Sequence, residues 1–313
     1  MSYQSIGFIG VGAMGKEMVV NLAEKLPRHI PIYINDVNKS ATRELAASYS
    51  NSIIACDTAH EVAANSDVVL TMLPEGRHVR SVYLDSHGSI SSASLCGKIL
   101  IECSTIDTAT NHEVRSTLQQ LEPTASFYDA PVSGGVLGAR KATLGIFLGC
   151  DEKDPNFETL KAVLSMLGNN VIACGGPSLG LVAKLANNYL SGTIAIATSE
   201  AMNMGMLGGM NAHVLAQVIH AGSGRNHIAD NFNPVPGICP EAPSSHGYEG
   251  GFKVELMKKD IGLAASMAER VGARLVLGKS CLETYQNASQ DPRCQGLDSR
   301  VVYRYLGGQE DWE

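Results

Sequence analysis

The chain has 313 residues, enough for about two domains of roughly 150 residues each, and 44% of them are apolar, which supplies material for sizeable cores. Its formal charge is -7, from 24 basic and 31 acidic side chains, with no long run of Lys and Arg, so neither nucleic acid nor an anionic membrane surface is expected as a partner. The eight cysteines form no CxxC pair, and a chain of this length needs no disulfide staples, which points to free thiols in a reducing compartment.

The first strand is read at once, in "SIGFIG". It leaves no room ahead for a cleavable apolar leader or an Arg-rich transit segment, so no targeting signal is expected within this chain. At the turn that follows stands Gly10-Val11-Gly12-Ala13-Met14-Gly15. Gly10 permits a tight turn, Gly12 lets the backbone approach a pyrophosphate, and Gly15 lets the helix pack close to the sheet. Ala13 and Met14 open that helix, whose unpaired N–H groups and dipole favour phosphate. A lone GxGxxG is a weak signal; following "IGFI" and opening a βαβ pattern, it reads as a dinucleotide site.

The second strand, "IPIYIN", ends at Asp36, 21 residues beyond Gly15. A carboxylate there can accept from the adenosine ribose hydroxyls and repel a 2'-phosphate, which favours NAD over NADP; Lys39 and Arg43 are the residues able to soften that preference. The bland alternative for Asp36 is a turn or helix cap. Further strands are read in "DVVLTML", "KILIECS", "SFYDAP", "ATLGIFLG" and "NVIACG", with amphipathic helical patterns between most of them. Such alternation predicts a Rossmann-type, doubly wound, largely parallel α/β sheet covered by helices. Strand ends at Leu73-Pro74 and at Ser104-Thr105 fall on its binding edge, so Leu73 and Pro74 are expected to wall the dinucleotide and Thr105 to bond near its nicotinamide end. His78 is read either as a further cofactor contact or as a solvent-exposed side chain.

After "SFYDA" comes "APVSGG", where Ser133, Gly134 and Gly135 offer a hydroxyl and unscreened backbone donors suited to a small carboxylate, or simply form a glycine turn. Asp129 is expected to help fix that turn. Beyond residue 179 the strands stop, so residues 1–179 are assigned to a dinucleotide-binding domain and 180–313 to an all-helical substrate and oligomerisation domain, with helices near 180–208, 211–222, 253–272, 275–290 and 298–306. The first of these helices is apolar except for a few positions, Lys184, Asn187, Asn188, Ser191, Thr193 and Glu200 among them, which makes it a poor membrane span. Lys184 and Asn188 lie four residues apart, on one face with Gly180. Burial draws an ammonium down from its usual value of about 10.4 towards the range where it both gives and takes a proton, which suits oxidation of an alcohol. The ordinary alternative is a lysine that snorkels or pairs with a structural carboxylate. Residues 231–252 hold four prolines and four glycines, an unusually long ordered loop of the kind that is often functional. The histidines show no compact ligand spacing, so no metal is expected.

The pieces "GFIGVGAMG", "MLPEG", "STID", "DAPVSGG", "AKLANN", "EAMNMG", "SGR", "NPVPG" and "GGFKVELMKKDIGLA", in this order and over nearly the whole chain, make it resemble the β-hydroxyacid dehydrogenases. That resemblance implies a catalytic lysine at Lys184, a substrate-orienting asparagine at Asn188, carboxylate binding by Ser133, Gly134 and Gly135, and a second, cofactor-side lysine at Lys259. It implies NAD as cofactor, a small β-hydroxyacid as substrate and a homodimer or homotetramer. The "NPVPG" loop resembles that of family members acting on 3-hydroxyisobutyrate in valine degradation, with another small β-hydroxyacid or semialdehyde as the alternative and a nonenzymatic NAD-binding scaffold as the reading from another class. By resemblance to the animal members the compartment is the mitochondrial matrix, with the cytoplasm as the alternative. Arg77, His78, His227 and the Ser245-His246-Gly247 run depart from what those members usually carry.

Overall fold

The computed structural model describes residues 3–85 and 87–312. The chain forms two compact units, Met1–Lys184 and Leu185–Glu313. The sequence placed the change of architecture at 179/180, where the strands stop. The contacts assign the first turns of the following helix to the first unit, for a reason that the site makes plain below.

In the first unit β1 (Ile6–Ile9), α1 (Ala13–Lys25), β2 (Ile32–Asn35), α2 (Lys39–Ser48), β3 (Ile53–Ala55), α3 (Ala59–Ala64), β4 (Val68–Thr71), α4 (Gly76–Leu84), β5 (Ile99–Glu102), α5 (Thr108–Leu121) and β6 (Ser126–Asp129) alternate along the chain. The six strands make one parallel sheet in the order β3-β2-β1-β4-β5-β6. Every residue of β1, β4 and β5 is buried, as expected of strands covered on both faces. Successive side chains feed two separate cores: Ile6, Phe8, Val68, Leu70, Ile99 and Ile101 on one face, and Ile9, Val69 and Leu100 on the other. The sheet reverses direction of growth between β1 and β4, the switch point at which such folds bind ligands beyond the carboxyl ends of the strands.

A second, three-stranded sheet of β7 (Val132–Ser133), β8 (Gly145–Leu148) and β9 (Asn170–Ala173) follows, with α6 (Gly135–Arg140) and α7 (Phe157–Leu164) between its strands. The sequence pattern ran these strands into one sheet; instead β7 pairs antiparallel to β8. The six-residue α6 between them belongs to no parallel crossover, which needs a dozen or more residues.

The last element of the first unit continues into the second as α8 (Leu179–Leu207), followed by α9 (Ala212–Ala221), α10 (His227–Asn231), α11 (Val254–Val271), α12 (Gly278–Ala288) and α13 (Val302–Tyr305). Within the second unit α8 meets α11 and α12 closely at Gly192, where a Cβ would lie 2.8 Å from Ile261 Cδ1 and 3.1 Å from Met257 Sδ. Tyr285 donates to the Gly192 carbonyl there at 3.0 Å. The Pro- and Gly-rich loop is pinned by buried side chains: Tyr248 OH donates to the Pro234 carbonyl at 2.8 Å and Ser244 Oγ to the Asn233 carbonyl at 2.6 Å. Ser245, one of the departures noted above, donates to the Cys239 carbonyl at 2.7 Å and so knots the loop. Among the described residues no helix is long and apolar enough to cross a membrane.

Candidate cofactor and catalytic site

The three glycines of the first turn do three different things. Gly10 has φ +96°, and a Cβ on it would stand 2.2 Å from the Met72 carbonyl oxygen. A Cβ on Gly15 would stand 1.9 Å from the Gly10 carbonyl oxygen, so α1 sits against the turn at a distance only glycine allows. A Cβ on Gly12 meets nothing within 4 Å: the space above the turn is open. Side chains cap α2, α3 and α5 at Asn38, Thr58 and Asp107, but none caps α1, whose N-cap residue is Gly12 and whose first N–H groups are left for a ligand. These features fit a dinucleotide pyrophosphate.

Asp36 braces this turn. Its carboxylate accepts from Val11 N and from Asn38 N, both at 2.8 Å. An ionised carboxylate has about four acceptor positions, so two remain for ribose hydroxyls. The helix cap is Asn38 rather than Asp36, and Lys39 donates to the Asp57 carbonyl at 2.7 Å.

At the neighbouring strand ends a buried carboxyl that sequence reading passed over, Glu102, organises the edge. It accepts from Thr71 Oγ1 at 2.5 Å and from Ser104 N at 2.6 Å, while Ser104 Oγ accepts from Leu73 N at 2.7 Å. Leu73 and Ser104 are thereby fixed to each other, Thr105 follows half-buried, and Pro74 is exposed. His78 is half-buried, its Nδ1 without a hydrogen-bond partner. The only signal for Glu102 in the sequence was a charged residue closing an otherwise apolar strand.

Burial pushes the Glu102 carboxyl up to about 7, against the pull of the Ser104 and Thr71 donors. An acid whose folded value is raised stabilises the fold only while protonated, so its contribution is present at acid pH and is lost as pH rises through the interval from its ordinary value to about 7. The difference amounts to about 3 kcal/mol. We expect Glu102→Gln to flatten the pH dependence of stability between the ordinary carboxyl value and about 7 and to raise Tm at the alkaline end. Thermal melts of both proteins across that range check it, and parallel curves would show that Glu102 does not titrate there.

The Ser133-Gly134-Gly135 turn has φ +134° at Gly134 and +61° at Gly135, conformations that favour glycine. It leads into α6, which packs on α1 through a hydrogen bond from Asn21 Nδ2 to the Ala139 carbonyl at 2.8 Å. Asp129 was expected to fix this turn, and its carboxylate reaches elsewhere. It accepts from Ser178 N at 2.7 Å and Leu181 N at 2.8 Å, capping the start of α8 from β6. Gly149 and Gly180 make room for it, since a Cβ on either would come within 2.8 Å of a carboxylate oxygen. This socket ties the first turns of α8 to the first unit. One turn further along the helix Lys184 is 5% exposed, a buried lysine.

In the second unit Asn188 and Lys259 are brought together through Asp260. Asn188 Nδ2 donates to Asp260 Oδ2 at 2.6 Å, and Lys259 Nζ lies 3.3 Å from Asp260 Oδ1. Among the described residues no three His, Cys, Asp or Glu side chains are grouped as a metal site.

Residues 5–176 match the family model of the NAD binding domain of 6-phosphogluconate dehydrogenase, and residues 179–306 match that of the NAD-binding region of NADP-dependent 3-hydroxyisobutyrate dehydrogenase. A probable mitochondrial 3-hydroxyisobutyrate dehydrogenase of Dictyostelium discoideum is 39% identical over 97% of this chain and 91% of that protein. The 3-hydroxyisobutyrate dehydrogenase of Pseudomonas aeruginosa is 36% identical over 97% of this chain and 99% of its own length. The structure of Mycobacterium tuberculosis 3-hydroxyisobutyrate dehydrogenase with L-serine superposes with a TM-score of 0.87 at 32% identity, covering 97% of this chain and 99% of that one. With both halves matched and relatives aligned end to end, the chain belongs to the 3-hydroxyisobutyrate dehydrogenase family.

Proposed function

We propose that this chain oxidises 3-hydroxyisobutyrate to methylmalonate semialdehyde with NAD, a step of valine degradation. The observation that carries the reading is a buried lysine, Lys184, four residues before a buried asparagine, Asn188, in a chain of this family. A buried lysine carries an amine able to take and return a proton, and alcohol oxidation needs such a group: the hydroxyl proton must go somewhere as the carbon loses hydride. Bound NAD supplies the hydride acceptor. Lys184 Nζ takes the hydroxyl proton and, in the reverse direction, returns it while its positive charge stabilises the developing alkoxide. Ser133 Oγ and the Gly134 and Gly135 N–H groups hold the substrate carboxylate, and Asn188 orients the alcohol oxygen. Gly12, Ala13 and Met14 at the α1 N-terminus hold the pyrophosphate, Leu73, Pro74, His78 and Thr105 line the rest of the dinucleotide, and Lys259 is the second lysine on its side.

Another small β-hydroxyacid is the competing substrate, favoured by the L-serine with which the mycobacterial relative was solved. Initial rates with NAD separate the two: kcat/KM is expected to be highest for 3-hydroxyisobutyrate among L-serine, glycerate, 3-hydroxypropionate and 4-hydroxybutyrate. A higher value for any other acid overturns the substrate, and no turnover of any of them leaves a nonenzymatic NAD-binding protein.

Asp36 underlies the proposed choice of NAD, since its free acceptor positions suit a ribose diol and its charge opposes a phosphate. Asp36→Ala is expected to raise KM for NAD by about tenfold, the worth of about one hydrogen bond to a charged group, and to narrow the advantage over NADP. A wild-type preference for NADP would sink this assignment.

The proposed assembly is a homodimer or homotetramer. Met204 and Leu207 on α8 and Val214 and Val218 on α9 leave large apolar side chains exposed, which a second copy would cover. The compartment proposed with the activity is the mitochondrial matrix, the cytoplasm being the alternative, and cell fractionation distinguishes them.

A further inference from the structure

The second unit holds a carboxylate for which the proposed reaction has no direct use. Asp260 is 1% exposed and sits in the buried stripe of α11 with Val254, Met257, Ile261, Ala264 and Ala268. A charge in such a stripe is retained only where something needs it. Its Oδ2 takes the Asn188 Nδ2 hydrogen at 2.6 Å, a short, charge-assisted bond, and its Oδ1 faces Lys259 Nζ at 3.3 Å without a hydrogen-bond partner.

We infer that Asp260 is the positioning residue of the proposed active site, the group that sets the orientation of the Asn188 amide. The inference rests on the reading of Asn188 as the residue that orients substrate. The two ends of a side-chain amide are nearly the same size and its last torsion has two broad wells, so shape alone does not decide which end points where. A carboxylate accepts and does not donate, and so selects the NH2 end. Asn187 Nδ2 donates to the other end, Asn188 Oδ1, at 3.1 Å, in agreement with that choice. One Nδ2 hydrogen and one Oδ1 lone pair then remain, a fixed donor and a fixed acceptor for the alcohol oxygen and its proton. Lys259 shares the same carboxylate, so Asp260 joins the residue proposed to orient substrate to the lysine proposed on the cofactor side.

The test is a double-mutant cycle on the full chain with Asp260→Leu, Asn188→Ala and the two combined, and with Asp260→Asn as the conservative variant. Leucine fills the space of the carboxyl group with apolar atoms, which buried sites often tolerate. Asp260→Leu is expected to lower kcat/KM for 3-hydroxyisobutyrate by about 10²-fold, the scale of a misplaced reacting group, mainly through kcat. The double variant is expected to be no worse than Asn188→Ala. Asp260→Asn, whose amide oxygen still accepts from Asn188, should recover most of the loss. NADH dissociation constants and Tm, measured on every variant, should stay near wild type, whereas a structural role moves Tm together with activity. Additive losses in the double variant, or an Asp260→Leu enzyme within about threefold of wild type, overturn the inference while leaving Asn188 in place. An Asn188→Ala enzyme within about threefold of wild type overturns the parent reading of Asn188 and the inference with it. Should Asp260→Leu fail to fold, Asp260→Ala takes its place in the cycle: a loss of activity that is absent in the Asn188→Ala background supports positioning, and an additive loss, or activity within about threefold of wild type, refutes it.

Discussion

Lys184→Ala is expected to fold, to bind NADH, and to lose roughly 10²–10⁴ in kcat, the range associated with removal of a general acid or base. Folding should survive because truncation to alanine leaves a good helix former inside α8. Lys184→Arg is expected to be nearly as poor, since a guanidinium keeps its proton throughout the accessible pH range and cannot take one from an alcohol. The measurement is the pH dependence of kcat/KM for alcohol oxidation beside NADH titration of each variant. Turnover of Lys184→Ala within about threefold of wild type, with normal NADH binding, would make the lysine structural and end the proposed mechanism.

Asp129→Ala should be the most destabilising single change discussed for the first unit. Burial pushes the Asp129 carboxyl above its ordinary range in spite of the Leu181 and Ser178 donors and the nearby Arg115 charge, so the charge itself adds little stability. The loss comes from what truncation strands: two backbone N–H groups at the start of α8, with a void next to Gly149 and Gly180. Stranding both costs about 3–5 kcal/mol, which lowers Tm by roughly 10 °C in a domain of this size. Asp129→Asn keeps one acceptor and should lose about half as much. Since the socket also fixes the turns of α8 just before Lys184, kcat should fall in both variants at temperatures where they remain folded. Differential scanning calorimetry with rate measurements well below Tm checks both parts. An Asp129→Ala protein that melts like wild type would remove the socket from any account of how α8 is held.

What the sequence made legible was local. The glycine turn, the alternation of apolar runs and the four-residue spacing of Lys184 and Asn188 are written in consecutive residues, and each follows from backbone geometry. The three-residue β3 was missed because it lies at the sheet edge, with Ile54 and Ala55 exposed, and so lacks the apolar pattern that marks a strand. The antiparallel two-residue β7 was too short to carry a period. Site partners were harder still. Asp129 and Asp260 stood in plain view as acidic residues, but their hydrogen bonds to Leu181 and Asn188 span 52 and 72 positions, and no local pattern encodes which buried amide a carboxylate will meet. Glu102 was hidden in the same way, its partner Thr71 lying 31 positions earlier.

The strand order also has a consequence for how the protein is made. Of the six strands of the large sheet β1 is synthesised first, yet it ends in the middle of the sheet, with Ile6 paired to Ile32 on one side and to Val68 on the other. Its second edge therefore stays open until β4 has been synthesised, and the edge of β4 in turn waits for β5, whose Ile99 pairs with Val68. For that interval the nascent chain displays strands that the finished fold buries at every position, with unpaired N–H and C=O groups along one side, the template on which chains join one another. Soluble yield should accordingly depend on the rate of synthesis and on chaperone supply more steeply than the stability of the finished molecule suggests.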